Sequence, residues 1–122
     1  MTAICRPQIT ETGPLATAFL GEGMLITFGS NAPEELREFC FIVAPSLTVA
    51  PIEVGQTLWI DQQAFAITAV GEVAQRNLDS LGHVTIKLDA ADEAGLAGAI
   101  HVAPAAAPPD LQIGSTLVIE AA

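Results

Sequence analysis

Two histidines, His83 and His101, are the residues whose chemistry the rest of the chain leaves open. A neutral imidazole can attack a phosphoryl group when its other ring nitrogen is fixed by a hydrogen bond. Phosphoryl transfer then needs mainly positioning, with donors or cations nearby. His83 has such company. It opens the stretch His83-Val-Thr-Ile-Lys-Leu-Asp89, in which apolar and polar residues alternate. Alternation places Val84, Ile86 and Leu88 on one side of a strand and His83, Thr85, Lys87 and Asp89 on the other. His83 is therefore the candidate acceptor, with Thr85 and Lys87 as phosphate neighbours and Arg76 as a third candidate from the preceding segment. The competing structural reading is a hydrogen-bonded histidine at the start of a strand. His101 lies in Ala99 to Ala103, a run with no cation of its own.

Other chemistries lack their residues. The chain has no Walker-type phosphate loop, no His-Glu-x-x-His and no Gly-x-Ser-x-Gly. Cys5, Cys40, His83 and His101 have no metal-ligand spacing, so neither a metal site nor a cofactor is expected. Glu34 with Glu35 and Asp92 with Glu93 are sequence neighbours that read as solvated surface rather than as an acid–base pair.

The elements that must position His83 are a strand, a helix and a second strand. The first strand ends at Val70 and Gly71. From Glu72 the spacing becomes helical, with Val73, Ala74, Leu78 and Leu81 on one face. Gly82 then supplies a helix end with positive φ. This predicts a helix over Glu72–Leu81 with Gln75, Arg76 and Asp79 exposed.

The remaining chain reads as β structure. Strands are expected at Ala3–Ile9, interrupted by Pro7, and at Met24–Phe28, Phe39–Val43, Gln56–Ile60, Ala64–Val70, Ala99–Ala103 and Thr116–Glu120. Leu47–Ile52 lies in a strand-rich half, and Asp61–Gln63 is a hairpin turn. A short helix is expected over Asn31–Glu38, with Asn31 as N-cap and Glu34 at capping-box spacing. Ala90–Leu96 is a loop or one helical turn, and Pro104–Pro109 an extended surface connection. Trp59 reads as a packing residue. The stretch Ile52-Glu-Val-Gly-Gln-Thr-Leu-Trp-Ile60 is echoed by Leu111-Gln-Ile-Gly-Ser-Thr-Leu-Val-Ile119. The echo is either one turn solution used twice or the trace of pseudo-symmetric halves. Together these elements predict a mainly β fold: a small antiparallel β-barrel or sandwich with one or two short helices.

Length and charge bound the rest. At 122 residues the chain is one domain, residues 1–122, with a core of Val, Ile, Leu and Ala because aromatics are few and tyrosine is absent. A net charge of −10 argues against nucleic acid and anionic membranes as partners. No apolar run of about 18 residues is present, and the N-terminus carries no signal-peptide pattern. A cytoplasmic protein with reduced cysteines is expected. Pro7 breaks an edge strand, and edge strands need cover, so a homodimer is expected as well.

Five stretches also carry a family resemblance. They are Met24-Leu-Ile-Thr-Phe28; Glu38-Phe-Cys-Phe-Ile42; Thr68-Ala-Val-Gly71 with Val73-Ala74 and Asn77-Leu78; Leu81-Gly-His-Val-Thr85; and His101-Val-Ala103. In order and gaps they resemble the glucitol/sorbitol-specific IIA component of the bacterial phosphoenolpyruvate-dependent sugar phosphotransferase system, over nearly the whole chain. The resemblance implies a cytoplasmic phosphocarrier of barrel or sandwich type. Such a protein takes a phosphoryl group from the histidine phosphocarrier protein and passes it to the IIB subunit of the sugar permease, peripheral to the membrane and not inserted. In the family pattern the acceptor histidine directly follows Cys-Phe-Ile. Here Cys40-Phe41-Ile42 is followed by Val43, which cannot carry phosphate. The role therefore does not transfer to position 43. Either His83 carries it, or the chain is a IIA-like binding or regulatory module without transfer.

Overall fold

The structure, a computed structural model, describes residues 2–44, 46–104 and 109–122. Residues 105–108 of the expected Pro104–Pro109 connection lie outside the described residues.

The chain begins with β1 (Ala3–Cys5) and β2 (Gln8–Thr12), separated at Pro7 as expected. Proline has no N–H to donate, but its carbonyl still accepts. Leu117 N donates to Pro7 O at 2.9 Å, and Ile9 N to Ser115 O at 2.8 Å. The break is a change of partner: β1 pairs with the last strand and β2 with β4. Next come α1 (Ala16–Gly21), β3 (Met24–Phe28), α2 (Glu34–Arg37), β4 (Phe41–Ala44), β5 (Thr57–Ile60) and β6 (Gln63–Val70). The chain closes with α3 (Ala74–Leu81), β7 (Val84–Lys87), β8 (Ala99–Val102) and β9 (Leu117–Glu120).

The nine strands form one sheet in the order β1-β9-β5-β6-β8-β7-β3-β4-β2. Its two terminal strands are consecutive in the chain, so the sheet curls back on itself without a closing ladder between them. A single bridge from Gln8 to Thr116 crosses the gap. The mainly β, barrel-or-sandwich expectation holds. Pairing is antiparallel except at β3–β4 and β7–β8, which are parallel.

The curl encloses the main core, whose best-buried side chains include Leu25, Phe41, Leu58, Phe65, Ile100 and Val102. A smaller cluster of Phe28, Ala32, Cys40 and Ile42, with Ile26 against it, occupies the outer face of β3 and the start of β4. β7 obeys its alternation: Val84 and Ile86 are buried and Thr85 and Lys87 half-buried.

The sequence echo is structural. Gly55 and Gly114 both take positive φ (93° and 96°), as their turns require. Gly55 N donates to Ile67 O (3.0 Å), and Ile67 N donates in return to Gln56 O (2.9 Å). Gly114 N donates to Ile9 O (2.8 Å), while Ile9 N returns to Ser115 O. The strands that follow, β5 and β9, pair with each other, Leu58 opposite Ile119 and Ile60 opposite Leu117. Equivalent residues thus exchange places about a local two-fold axis at Trp59 and Val118. One turn is used twice, and the two strands that follow it are related by the local two-fold. Trp59 Nε1 donates to Glu120 Oε1 at 2.8 Å.

Four local expectations fail for physical reasons. The helix α1 was not expected, because Ala16–Gly21 has no side-chain cap and only Ala16 and Leu20 are buried, too few for a periodic signal. The helix α2 starts after Pro33, whose φ of −55° and ψ of 141° place it outside the helix; Asn31 does not cap it. Phe39 and Cys40 precede strand β4 rather than belonging to it. Residues 46–52 form no strand but an extended strap bound to α3. Asp79 accepts from Thr48 N and Thr48 Oγ1, both at 2.8 Å. Gln75 Nε2 donates to Thr48 Oγ1 and Ala50 O, and Gln75 Oε1 accepts from Ile52 N. Gln75 and Asp79 were expected to be free surface.

Within α3, Ala74 and Leu78 form the buried stripe, one turn apart. Leu81, expected to be buried, is 39% exposed, because the helix ends there and Leu81 falls at the margin of that stripe. Leu78→Ala is expected to cost ~2–5 kcal/mol of stability, the range for large-to-small core changes. Urea unfolding checks it. A loss under ~0.5 kcal/mol, typical of surface positions, would show that the face is wrongly assigned.

Candidate functional site

His83 sits at the step from α3 to β7. Gly82 makes that step with φ 66°, a left-handed conformation that glycine adopts without strain. Its lack of a side chain matters too. A Cβ there would lie 2.9 Å from Gly29 N and 3.3 Å from Val43 Cγ2. His83 N is held by Asn77 O at 3.3 Å.

The imidazole is fixed by β3. Its Nδ1 lies 3.0 Å from Thr27 O. A carbonyl only accepts, so Nδ1 carries the proton and Nε2 keeps its lone pair. The ring stacks on Phe28, centroids 4.5 Å apart at 29°. Thr27 is itself locked: its Oγ1 donates to Gly82 O (2.8 Å) and accepts from Val84 N (3.2 Å). One buried threonine therefore binds the residues on both sides of His83 with its hydroxyl and the ring with its carbonyl.

His83 is half-buried at the base of a groove of about 280 Å³ on the outer sheet face. Thr85 shares the base, and Phe19, Phe28, Leu36 and Phe39 form the walls. Phe19 and Phe39 stack at 5.3 Å, joining α1 to the segment after α2, while Leu36 is 43% exposed. Cys40 also lines the groove; burial raises its thiol above the ordinary range. Burial pushes Cys5 up to about 11, and both thiols are free. Among the described residues no cluster of His, Cys, Asp and Glu could hold a metal ion.

Of the other candidates, Thr85 is beside His83 in the groove. Lys87 does not line the groove; it is two residues further along the same strand face, in register with Met24 on β3 and His101 on β8, and has no ion-pair partner among the described residues. Arg76 is not brought to the site. It is exposed on α3 and does not line the groove. Thr27 and Phe28, the residues that fix His83, were not singled out from sequence. A polar residue inside the apolar run Met24–Phe28 was the available signal.

Position 43 is occupied by a buried aliphatic side chain. Val43 is 1% exposed, belongs to the main core and packs against Gly82. The position that the family resemblance reserves for the acceptor thus lies beside the Leu81-Gly82-His83 step.

His101 is different. It is 3% exposed, and its Nδ1 lies 2.8 Å from Asp89 Oδ1. The hydrogen bond from His101, with a second from Ala91 N, holds the Asp89 carboxyl below the ordinary carboxylate range. The cation absent from its own strand is supplied across the sheet, where Lys87 is its register partner. Burial closes His101 to a macromolecular phosphoryl donor, and the groove leaves His83 open to one.

Comparison with known proteins defines the class. A crystal structure described as a PTS system IIA component from Enterococcus faecalis V583 superimposes with a TM-score of 0.76 at 26% identity, covering 92% of this chain and 96% of that one. The family model for the PTS system glucitol/sorbitol-specific IIA component matches residues 4–118. The glucitol/sorbitol-specific EIIA components of Shigella flexneri and Escherichia coli K12 are 41% and 40% identical over 120 residues, 98% of this chain and 97% of each relative. The chain belongs to the glucitol/sorbitol-specific IIA family of the sugar phosphotransferase system.

Proposed function

We propose that this chain carries a phosphoryl group on His83 between the histidine phosphocarrier protein and the IIB subunit of a glucitol/sorbitol permease. The observation that carries this reading is the pose of His83. Its Nδ1 donates to Thr27 O, which leaves the lone pair of Nε2 free on a residue that lines an open groove. The lone pair of Nε2 attacks the phosphorus of the donor's phosphohistidine. The donor's N–P bond breaks and its electron pair returns to the donor ring. The Thr27 carbonyl holds the Nδ1 proton and stabilises the positive charge that forms on the phosphorylated ring. A second transfer in the same sense passes the group to IIB.

The groove supports a docking role. Its walls are aromatic and aliphatic, and α2, which supplies Leu36, also carries Glu34, Glu35 and Glu38 at its edge. Arg37 on that helix is engaged by Glu11 at 2.7 Å. An apolar projection with basic neighbours is the complementary partner surface. The described residues include no helix long and apolar enough to cross a membrane, in keeping with a protein that works against a permease from the cytoplasmic side. The outer side of β2 beyond Ile9, which has no strand partner among the described residues, supports the homodimer reading. Light scattering showing only monomer at high micromolar concentration would remove that part.

Lys87→Ala is expected to slow single-turnover phosphorylation by about tenfold or more, since a cation on the strand face that carries His83 stabilises charge in transfer. The acceptor should remain in place. An unchanged rate would remove Lys87 from the site.

A second reading is favoured by one observation, the buried Val43 at the family's acceptor position. It makes the chain a IIA-like binding or regulatory module. Incubation with phosphoenolpyruvate, enzyme I and the phosphocarrier, followed by intact mass, separates the two. The carrier reading expects the mass of one acid-labile phosphoryl group. No gain in mass supports the module reading.

A further inference from the structure

His101 and Asp89 lie outside the groove, and phosphoryl transfer at His83 does not use them. His101 is on β8 between β6 and β7, with Ala69 and Lys87 as register partners. Its neighbours Ile100 and Val102 face the core, so the imidazole projects from the opposite face. Segment 89–98 is tied along that face to β6, β8 and the residue before α3. Ala90 N donates to Val102 O at 3.0 Å, with Ala90 held at φ 55°, a conformation that costs an alanine energy. Thr68 Oγ1 donates to Ala91 O at 2.7 Å, and Val73 N to Ala97 O at 3.0 Å.

Under this cover the two ring nitrogens fare differently. The Nδ1 side is engaged by Asp89. Nε2 is fully buried and has no hydrogen-bond partner among the described residues. The neutral ring, with its proton on Nδ1, tolerates this, because Nε2 is then only an unused acceptor. The imidazolium does not. It has two N–H donors, and the closed segment satisfies one of them. A buried, unpaired donor on a charged ring is among the costlier defects a fold can hold. The surrounding charges do not remove the cost. Asp89 favours the imidazolium, but its side chain is 49% exposed and therefore screened. Lys87 faces the ring from β7 and opposes a second positive charge. β6 contributes only Ala69 and the engaged Thr68. Asp92 and Glu93 of the segment are exposed.

We propose that segment 89–98 is a proton-sensitive latch, closed over neutral His101 and released when Nε2 takes a proton. Opening brings water to Nε2–H and relieves Ala90 of its backbone conformation. The latch also reaches the elements that flank His83. Its residues hold Val73 N, just before α3, and Thr85 N, which donates to Gly98 O at 3.4 Å. The proposal does not depend on phosphoryl transfer, and its test reads none.

The test is amide hydrogen exchange on the full chain, corrected for intrinsic rates, from about pH 8 to about pH 5.5, the range over which a histidine charges. Protection of the Ala90 and Val73 amides is expected to fall by up to about tenfold per pH unit while the open form binds one extra proton. The β5–β9 ladder should stay unchanged. His101→Asn keeps a side-chain N–H for Asp89 but cannot charge, and it should abolish the pH dependence. Asp89→Asn should loosen the segment at every pH. Unchanged protection in the wild type, or a pH dependence that persists in His101→Asn, would overturn the latch. Should His101→Asn fail to fold, the wild-type ring decides. Its NMR titration must share a midpoint with the loss of protection, and separate midpoints contradict the proposal.

Discussion

His83→Ala is expected to abolish phosphoryl acceptance while leaving a folded protein. The substitution removes the only imidazole in the groove, and no other groove residue has a nitrogen nucleophile. His101 does not take over, because it is 3% exposed beneath segment 89–98. Stability should fall by ~1–3 kcal/mol, since Thr27 O loses its partner and Phe28 its stacked ring. Two measurements on one variant therefore separate the roles. Intact mass reads acceptance, and thermal melting reads the structural share. A variant that melts lower but still takes up phosphate would move the acceptor to His101 and make His83 a purely structural residue.

Phe41→Ala is expected to be the most destabilising of the single substitutions considered, at ~3–5 kcal/mol by urea unfolding. Phe41 is completely buried and stands at the join of two ladders, opposite Thr12 on β2 and opposite Thr27 on β3. Removing the ring empties part of the core and loosens the strand whose Thr27 carbonyl fixes His83. Phosphorylation should slow along with the loss of stability, unlike in Leu78→Ala, whose cavity lies under α3. A loss below ~1 kcal/mol would show that the site collapses around the smaller side chain.

Much of this arrangement was legible because it is local. The strand Met24–Phe28 is bounded by Gly23 and Gly29, and β7 shows its two faces by alternation, so the set His83, Thr85 and Lys87 followed from spacing alone. The end of α3 at Gly82 was legible for the same reason, since a left-handed residue must follow the last turn. What was not legible depends on distant partners. Thr27 and His83 are 56 residues apart, and their hydrogen bond exists only because β3 pairs with β7. The strap at residues 46–52 was placed only in a strand-rich half; Leu47 and Val49 are exposed, and its backbone is tied to the distant side chains of Gln75 and Asp79. Arg76 was chosen for charge and proximity in sequence, but the helix turns it to solvent. The pairing of His101 with Asp89 needed the parallel β7–β8 arrangement, which no local pattern announces.

Val43 packs in the core against Gly82, one residue from His83 in the chain step that both touch. If transfer persists in this chain, the reactive nitrogen lies across that contact from the position the family reserves for it. The direct measurement is the location of the phosphoryl group on wild-type protein charged by phosphoenolpyruvate, enzyme I and the phosphocarrier. Fragmentation mass spectrometry at alkaline pH, where phosphohistidine survives, reads the residue. A single modified site at His83 is expected; modification at His101, or a chain that stays unmodified, would overturn transfer through His83.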